Sequence, residues 1–153
     1  MSKNYWLFKA EPHIYGIEHL SAASDKIGRW DGIRNYQARN FLRDQVALND
    51  EVFIYHSSCK NVGIVGTAKI VKTAYPDPTQ FNPESDYYDP KSTHENPRWV
   101  SVDIQVKKTF PRIISLAEIK AQTALENMVL VKQSRLSTQP VTKTEWEYIL
   151  ELV

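Results

Sequence analysis

Two apolar runs stand almost back to back in the middle of this chain. Glu51-Val52-Phe53-Ile54-Tyr55-His56-Ser57 and Gly63-Ile64-Val65-Gly66-Thr67-Ala68-Lys69-Ile70-Val71 are parted only by a short segment around Ser58-Cys59-Lys60-Asn61. β-Branched and aromatic side chains dominate both, so each reads as a largely buried strand, and so short a gap joins them as an antiparallel hairpin. A third run, Arg98 to Lys108, alternates strictly, with Val100, Val102, Ile104 and Val106 on the inner side. Tyr5-Trp6-Leu7-Phe8 adds a short aromatic strand closed by Glu11-Pro12. The chain is strand-rich.

Helices fill the intervals. Ile14 to Ala23 is a short helical candidate with Ile17 and Leu20 on one face. Asn35 is placed to cap a helix, because its side-chain oxygen can accept from a free helical N–H. That helix keeps Ala38, Phe41 and Leu42 on one stripe and Arg39 with Arg43 on another, and it stops at Asn49-Asp50. Ser115-Leu116-Ala117-Glu118 and Thr142-Lys143-Thr144-Glu145 each have the form of a capping box. In the last helix Trp146, Ile149, Leu150 and Val153 share a face, which makes Trp146 a core residue. Residues 75–97 hold five prolines and no regular period, but Tyr75, Phe81, Tyr87 and Tyr88 argue for a packed loop. The expected architecture is α+β, a small β-barrel, mixed or antiparallel, with short flanking helices. At 153 residues the chain is expected to form one domain spanning residues 1–153.

Composition excludes several classes of function. No apolar run approaches the ~20 residues that cross a bilayer, so no membrane partner is expected. The first residues lack a long apolar segment with a small-residue cleavage site, and Cys59 is the one cysteine, so no internal disulfide framework forms. A reducing location is expected, cytoplasmic, or nuclear if the source is eukaryotic. A net charge of +1 argues against a protein that coats many phosphates. The charge is nevertheless uneven. Lys26, Arg29, Arg34, Arg39 and Arg43 stand against Asp31, whereas Asp77, Glu84, Asp86, Asp89 and Glu95 stand against Lys91. Either the two segments are solvated or pair with each other, or the basic one forms an electropositive rim over a few nucleotides.

The stretch Gly28-Arg29-Trp30-Asp31-Gly32-Ile33-Arg34-Asn35-Tyr36-Gln37-Ala38-Arg39 carries the chemistry that favours the second reading. Glycines on both sides of Trp30 let the backbone take positive φ and approach a ligand closely. A flat ring presented there, with arginines on the helix that follows, suits a planar base beside a phosphate chain. The plainer alternative is that Trp30 plugs the end of the barrel. Trp99 is open between a place in an aromatic cage and surface packing. Arg39 and Arg43 fit a solvated helix face as well as phosphate contacts, and Arg34 fits a pairing with the acidic loop.

Several segments resemble the EVE domain family: Tyr5-Trp6-Leu7-Phe8-Lys9-Ala10-Glu11-Pro12, the Trp30 to Asn40 stretch, Tyr55-His56-Ser57-Ser58, Gly63-Ile64-Val65-Gly66, Ala74-Tyr75-Pro76-Asp77, Tyr87-Tyr88-Asp89-Pro90-Lys91, Pro97-Arg98-Trp99 and Ser134-Arg135-Leu136-Ser137. The resemblance runs from Tyr5 to Trp146. It implies a PUA-like fold related to the PUA and YTH domains, and binding of a methylated or hydroxymethylated base of DNA or RNA without chemistry. Trp30 falls where a cage tryptophan is expected, with Tyr87 or Tyr88 as the second aromatic; Tyr88 is carried into the candidate site. Ala10 departs from the serine found in many members, which removes one polar contact.

The expected ligand-binding residues are Lys9, Trp30, Asn35, Tyr36, Ser57, Ser58 and Tyr88. Arg34, Arg39, Arg43 and Arg135 are the expected phosphate contacts. Nucleic acid carrying a modified base is the expected partner, with a protein supplying catalytic activity as a further one; no cofactor or metal is expected, and the protein is expected to be a monomer. His13, His19, His56 and His94 lack metal-ligand spacing. The rival readings are a thiol enzyme using His56 and Cys59, and a protein-interaction module built on the tyrosine-rich loop.

Overall fold

The computed structural model describes residues 4–133 and 135–153, so Ser134 of the quoted motif and the first three residues lie outside the described residues. Six strands form one mixed sheet: β1 (Tyr5–Ala10), β2 (Ile27–Trp30), β3 (Glu51–His56), β4 (Gly63–Pro76), β5 (Val100–Ser115) and β6 (Thr138–Val141). Their order is β2-β5-β4-β3-β1-β6, with β1 and β3 parallel and every other pairing antiparallel. The helices are α1 (Pro12–Tyr15), α2 (Ile17–Ala22), α3 (Tyr36–Asp44), α4 (Leu116–Lys120), α5 (Val129–Lys132) and α6 (Lys143–Leu152).

The β3–β4 hairpin forms where the two apolar runs place it, and both faces of the sheet are buried. Alternation along the strands explains how. Trp6, Phe8, Val52 and Ile54 enter one core with α2 and α3, while Leu7, Phe53 and Tyr55 enter the other with α4, α5 and α6. The sheet does not close into the expected barrel. It is an open mixed sheet whose edges are β2 and β6, each only four residues long. Repeated register shifts between β4 and β5 supply curvature instead, since each extra residue bends and twists its strand. β4 and β5 are accordingly much longer than their apolar cores, at 14 and 16 residues.

The N-cap signals of α3 and α6 hold in full and that of α4 in half, the Glu118 carboxylate pairing with Arg112 instead of closing its box. Asn35 Oδ1 accepts from the Ala38 N–H at 2.9 Å, Ser115 Oγ accepts from the Glu118 N–H, and Thr142 with Glu145 forms a reciprocal box. Trp146 and Ile149 are buried, whereas Leu150 is exposed. The helix expected over 14–23 is broken at Gly16 into α1 and α2, because the Gly16 backbone is extended. α3 ends at Asp44, a turn earlier than Asn49-Asp50.

The proline-rich loop is packed, and its staple is polar. Gln80 is fully buried; its amide donates to the carbonyls of Asp77 and Trp99 and accepts from the N–H groups of Arg98 and Trp99. All of its bonds run within the loop and its junction with β5, so a segment without regular structure is held in one shape.

Candidate nucleic-acid interface

Parallel pairing sets the site. β1 and β3 run side by side, so their C-terminal ends meet at one end of the sheet, with Lys9 opposite Tyr55 and Ala10 opposite His56. The chain entering β6 passes the same place, where the Lys9 N–H donates to the Ser137 carbonyl at 2.9 Å. A cleft of about 560 Å³ opens there, within the range of roughly 300–1,000 Å³ typical of small-molecule sites. Its walls include Lys9, Ala10, Tyr15, Trp30, Gly32, Arg34, Tyr55, Ser57, Ser58, Tyr87 and Arg135.

Trp30 borders this cleft but does not stand open in it. Only 4% of the residue is exposed, because it ends β2 and packs its ring 5.7 Å from Phe8 and 6.3 Å from Tyr15. The indole is a wall of the cleft with its body in the core. Tyr15 and Tyr87 are the half-buried rings beside it. The absent side chain of Gly28 makes room for Tyr15, since a Cβ there would run into the Tyr15 hydroxyl.

Tyr87, not Tyr88, turns into the cleft, and a buried ion pair puts it there. Gly32 has φ +78°, and a Cβ on it would lie 2.8 Å from the Tyr87 ring, so the ring sits close against bare backbone. The Gly32 N–H donates to Asp77 Oδ2 at 2.9 Å, and Arg34 Nη1 reaches the same oxygen at 3.0 Å. Arg34 also donates to the Tyr87 carbonyl from Nε and Nη2, to Thr79 Oγ1 and to its neighbour's Ile33 carbonyl. A guanidinium has five N–H donors, and each of these has an acceptor within the chain. Arg34 is therefore drawn inward onto the acidic loop. Asp77, with no exposed side-chain surface, accepts from the N–H and hydroxyl of Thr79 as well. Burial pushes its carboxyl up, but the bonds from Thr79, Gly32 and Arg34 outweigh this and hold it below the usual carboxylate range.

The electrostatics of the cleft are mixed. Lys9 is half-buried with Nζ 5.6 Å from the centre of the Tyr55 ring, and burial lowers its pKa from the ordinary lysine value. Burial, then the Cys59 charge, pushes the Tyr55 phenol up to about 12. Burial also raises the phenols of Tyr15 and Tyr87, so all three stay neutral donors at neutral pH. Glu11 and Asp31 bring carboxylates to the wall and Arg135 a guanidinium.

The other expected site residues lie away from the cleft. Asn35 caps α3. Tyr36 is half exposed and stacks on Trp99 with centroids 4.9 Å apart. Arg39 lies over both rings and donates to the Arg98 carbonyl. Arg43 pairs with its neighbour Asp44 on the surface, and Tyr88 is exposed on the loop. Trp99 is buried and donates through Nε1 to Asp89 at 2.8 Å, so it is a packing residue. Sequence reasoning did not single out Tyr15, Tyr55 or Ser137, which also line the cleft. Tyr55 and Ser137 stand in segments that carry the family resemblance, but that they meet at Lys9 is visible only once β1 and β3 pair in parallel.

The residues of the thiol reading are bonded elsewhere. His56 Nε2 accepts from the Ile17 N–H at 3.1 Å, and the Cys59 thiol donates to the Asn61 carbonyl. Among the described residues no cluster of three or more potential metal ligands occurs. Among them, no helix is long and apolar enough to cross a membrane.

Comparison with known proteins agrees with this architecture. The EVE domain family matches residues 4–152. Thymocyte nuclear protein 1 from Mus musculus is 46% identical over 97% of this chain and 73% of its own length. A crystal structure of a Pseudomonas syringae protein superposes with a TM-score of 0.92 at 50% identity, covering 97% of this chain and 98% of its own. The human THYN1 protein, crystallised in complex with 5-methylcytosine-containing DNA, has a TM-score of 0.94 at 44% identity, over 98% and 97% of the two chains. The likeness of fold extends to a YTH domain from Zygosaccharomyces rouxii, over 98% of this chain and 86% of that one, with a TM-score of 0.55 at 14% identity.

Proposed function

This chain belongs to the EVE domain family, and on that premise we propose that it is a non-catalytic reader that holds a modified nucleobase of a nucleic acid in the cleft beside Trp30. The observation that carries the proposal is the pairing of aromatic walls with polar ends in one cleft of about 560 Å³. The related human protein is bound to 5-methylcytosine-containing DNA, which makes that base the first to test.

The physical account divides affinity from selectivity. Stacking a base on an aromatic wall contributes ~1–3 kcal/mol whatever the base. Selectivity falls to edge groups, because a buried donor left unpaired costs about 1–3 kcal/mol. Ser57 and Ser58 at the end of β3, with Glu11 nearby, offer acceptors suited to an exocyclic amine, and Lys9 offers a donor for a ring carbonyl. A methyl group buried against an aromatic wall adds about 0.8 kcal/mol, roughly fourfold in affinity. Extruding a base from a duplex costs a few kcal/mol, so a single strand is the better ligand in isolation. Arg135, at the cleft edge, is placed for the backbone.

The test is equilibrium binding of the protein to matched oligonucleotides with and without the modified base, in ribose and deoxyribose forms. Tighter binding of the modified strand, lost in Tyr87→Ala, is expected. Equal affinities for modified and plain strands would refute the reading.

A further inference from the structure

Building on that base-holding reading, we infer that a second concavity beside the cleft receives the sugar–phosphate edge of the next nucleotide on the same strand. This concavity, of about 310 Å³, is lined by Asn35, Gln37, Gln133, Arg135 and Leu136. Arg135 lines both cavities, so the segment carrying Arg135 and Ser137 forms the ridge between them.

The chemistry of the two cavities differs. The first has aromatic walls and carboxylates. The second has a floor of buried Leu136 and a rim of exposed amides, with no acidic residue in its lining. Asn35 Oδ1 already accepts from the Ala38 N–H, which fixes the amide's orientation and leaves its NH₂ to donate. Gln37 and Gln133 bring further amides, each able to turn its NH₂ to an acceptor, and the Arg135 guanidinium has no ion-pair partner among the described residues. A donor-rich, acid-free hollow suits an acceptor-rich occupant such as phosphodiester and sugar oxygens. A peptide would need apolar anchors, and Leu136 alone supplies one. The phosphate joining the two nucleotides then falls at the ridge, where a guanidinium can grip two of its oxygens at once.

The test compares three ligands by NMR titration: 5-methyl-2′-deoxycytidine alone, and the same nucleoside extended by thymidine on its 5′ or its 3′ side. One dinucleotide is expected to bind the wild-type protein about tenfold more tightly than the nucleoside, as one added phosphate contact and its released counterion allow. Gln37→Glu and Gln133→Glu, both at exposed positions, are expected to abolish most of that gain and leave nucleoside affinity unchanged. Arg135→Ala is expected to flatten the salt dependence of dinucleotide binding by about 0.7 in log–log slope. Nucleoside binding with no gain from either extension, or a gain that survives both glutamate substitutions, overturns the second subsite alone. Failure of the wild type to bind any of the three ligands, or a modified oligonucleotide, overturns both readings. Selective capture of peptides by this hollow would likewise refute it.

Discussion

Asp77→Asn removes one charge and almost no volume, and the structure fixes what should follow. Asp77 accepts four hydrogen bonds: Oδ2 from the Gly32 N–H and Arg34, Oδ1 from the Thr79 N–H and hydroxyl. An amide in its place must turn its NH₂ toward one of these pairs, setting donor against donor. Hydrogen bonds to a charged group are worth about 1.5–3 kcal/mol each. Breaking a buried pair costs about 3–5 kcal/mol, reduced here because the Arg34 side chain is 22% exposed and partly screened. An overall loss of about 3 kcal/mol is expected at pH 7. With a urea slope of roughly 2 kcal/mol/M, the unfolding midpoint should fall by about 1.5 M. The carboxyl is held below its unfolded value, so its contribution is complete above pH ~3.9 and fades as pH falls through the folded pKa. Wild type and variant should therefore converge once the pH lies below the folded pKa. Because Arg34 also grips the Tyr87 carbonyl, the variant should bind a modified strand more weakly even where it is fully folded. A midpoint shift below about 0.3 M at pH 7 would refute the reasoning.

Other substitutions probe separate parts of the account. Gly32→Ala forces a side chain into positive φ and against the Tyr87 ring, so it should cost about 1–3 kcal/mol of stability in urea melts and weaken strand binding. Tyr87→Ala should lower affinity for a modified oligonucleotide by about 1–3 kcal/mol in titration calorimetry, with little change in unfolding midpoint. His56 must be neutral at Nε2 to accept from Ile17, and burial lowers its pKa from the ordinary histidine value. Its contribution is thus complete above pH ~6.5 and lost as pH falls through the lower folded value. Urea melts should show wild-type stability dropping from pH 7 to pH 5 more steeply than that of His56→Gln.

Much of the fold was legible because period-2 burial and capping chemistry are local. The β3–β4 hairpin, the Asn35 cap and the Trp146 face follow from neighbouring residues alone. What escaped depends on distant partners. The isolated glycine-flanked Trp30 reads as a presented ring, but pairing with β5 and contact with Phe8 make it a wall with a buried body. The pairing of Arg34 with the acidic loop is among the alternatives the sequence leaves open, but which carboxylate it meets, and that Gln80 is buried between Asp77 and Trp99, depend on contacts the local sequence does not encode. Neighbouring tyrosines in a loop cannot be ranked by sequence. Tyr87 is selected over Tyr88 by the bare backbone of Gly32 and by two donors from Arg34.

Titration of isotopically labelled protein with a short single strand containing one 5-methylcytosine, beside the same strand unmodified, addresses the base-holding cleft most directly. The modified strand should bind at least about fourfold more tightly. Its amide shifts should centre on Gly32, Ser57, Ser58 and Tyr87, the backbone around the cleft. Identical shifts and affinities for the two strands, or a response confined to the surface around Lys60 and Ala117, would contradict the account.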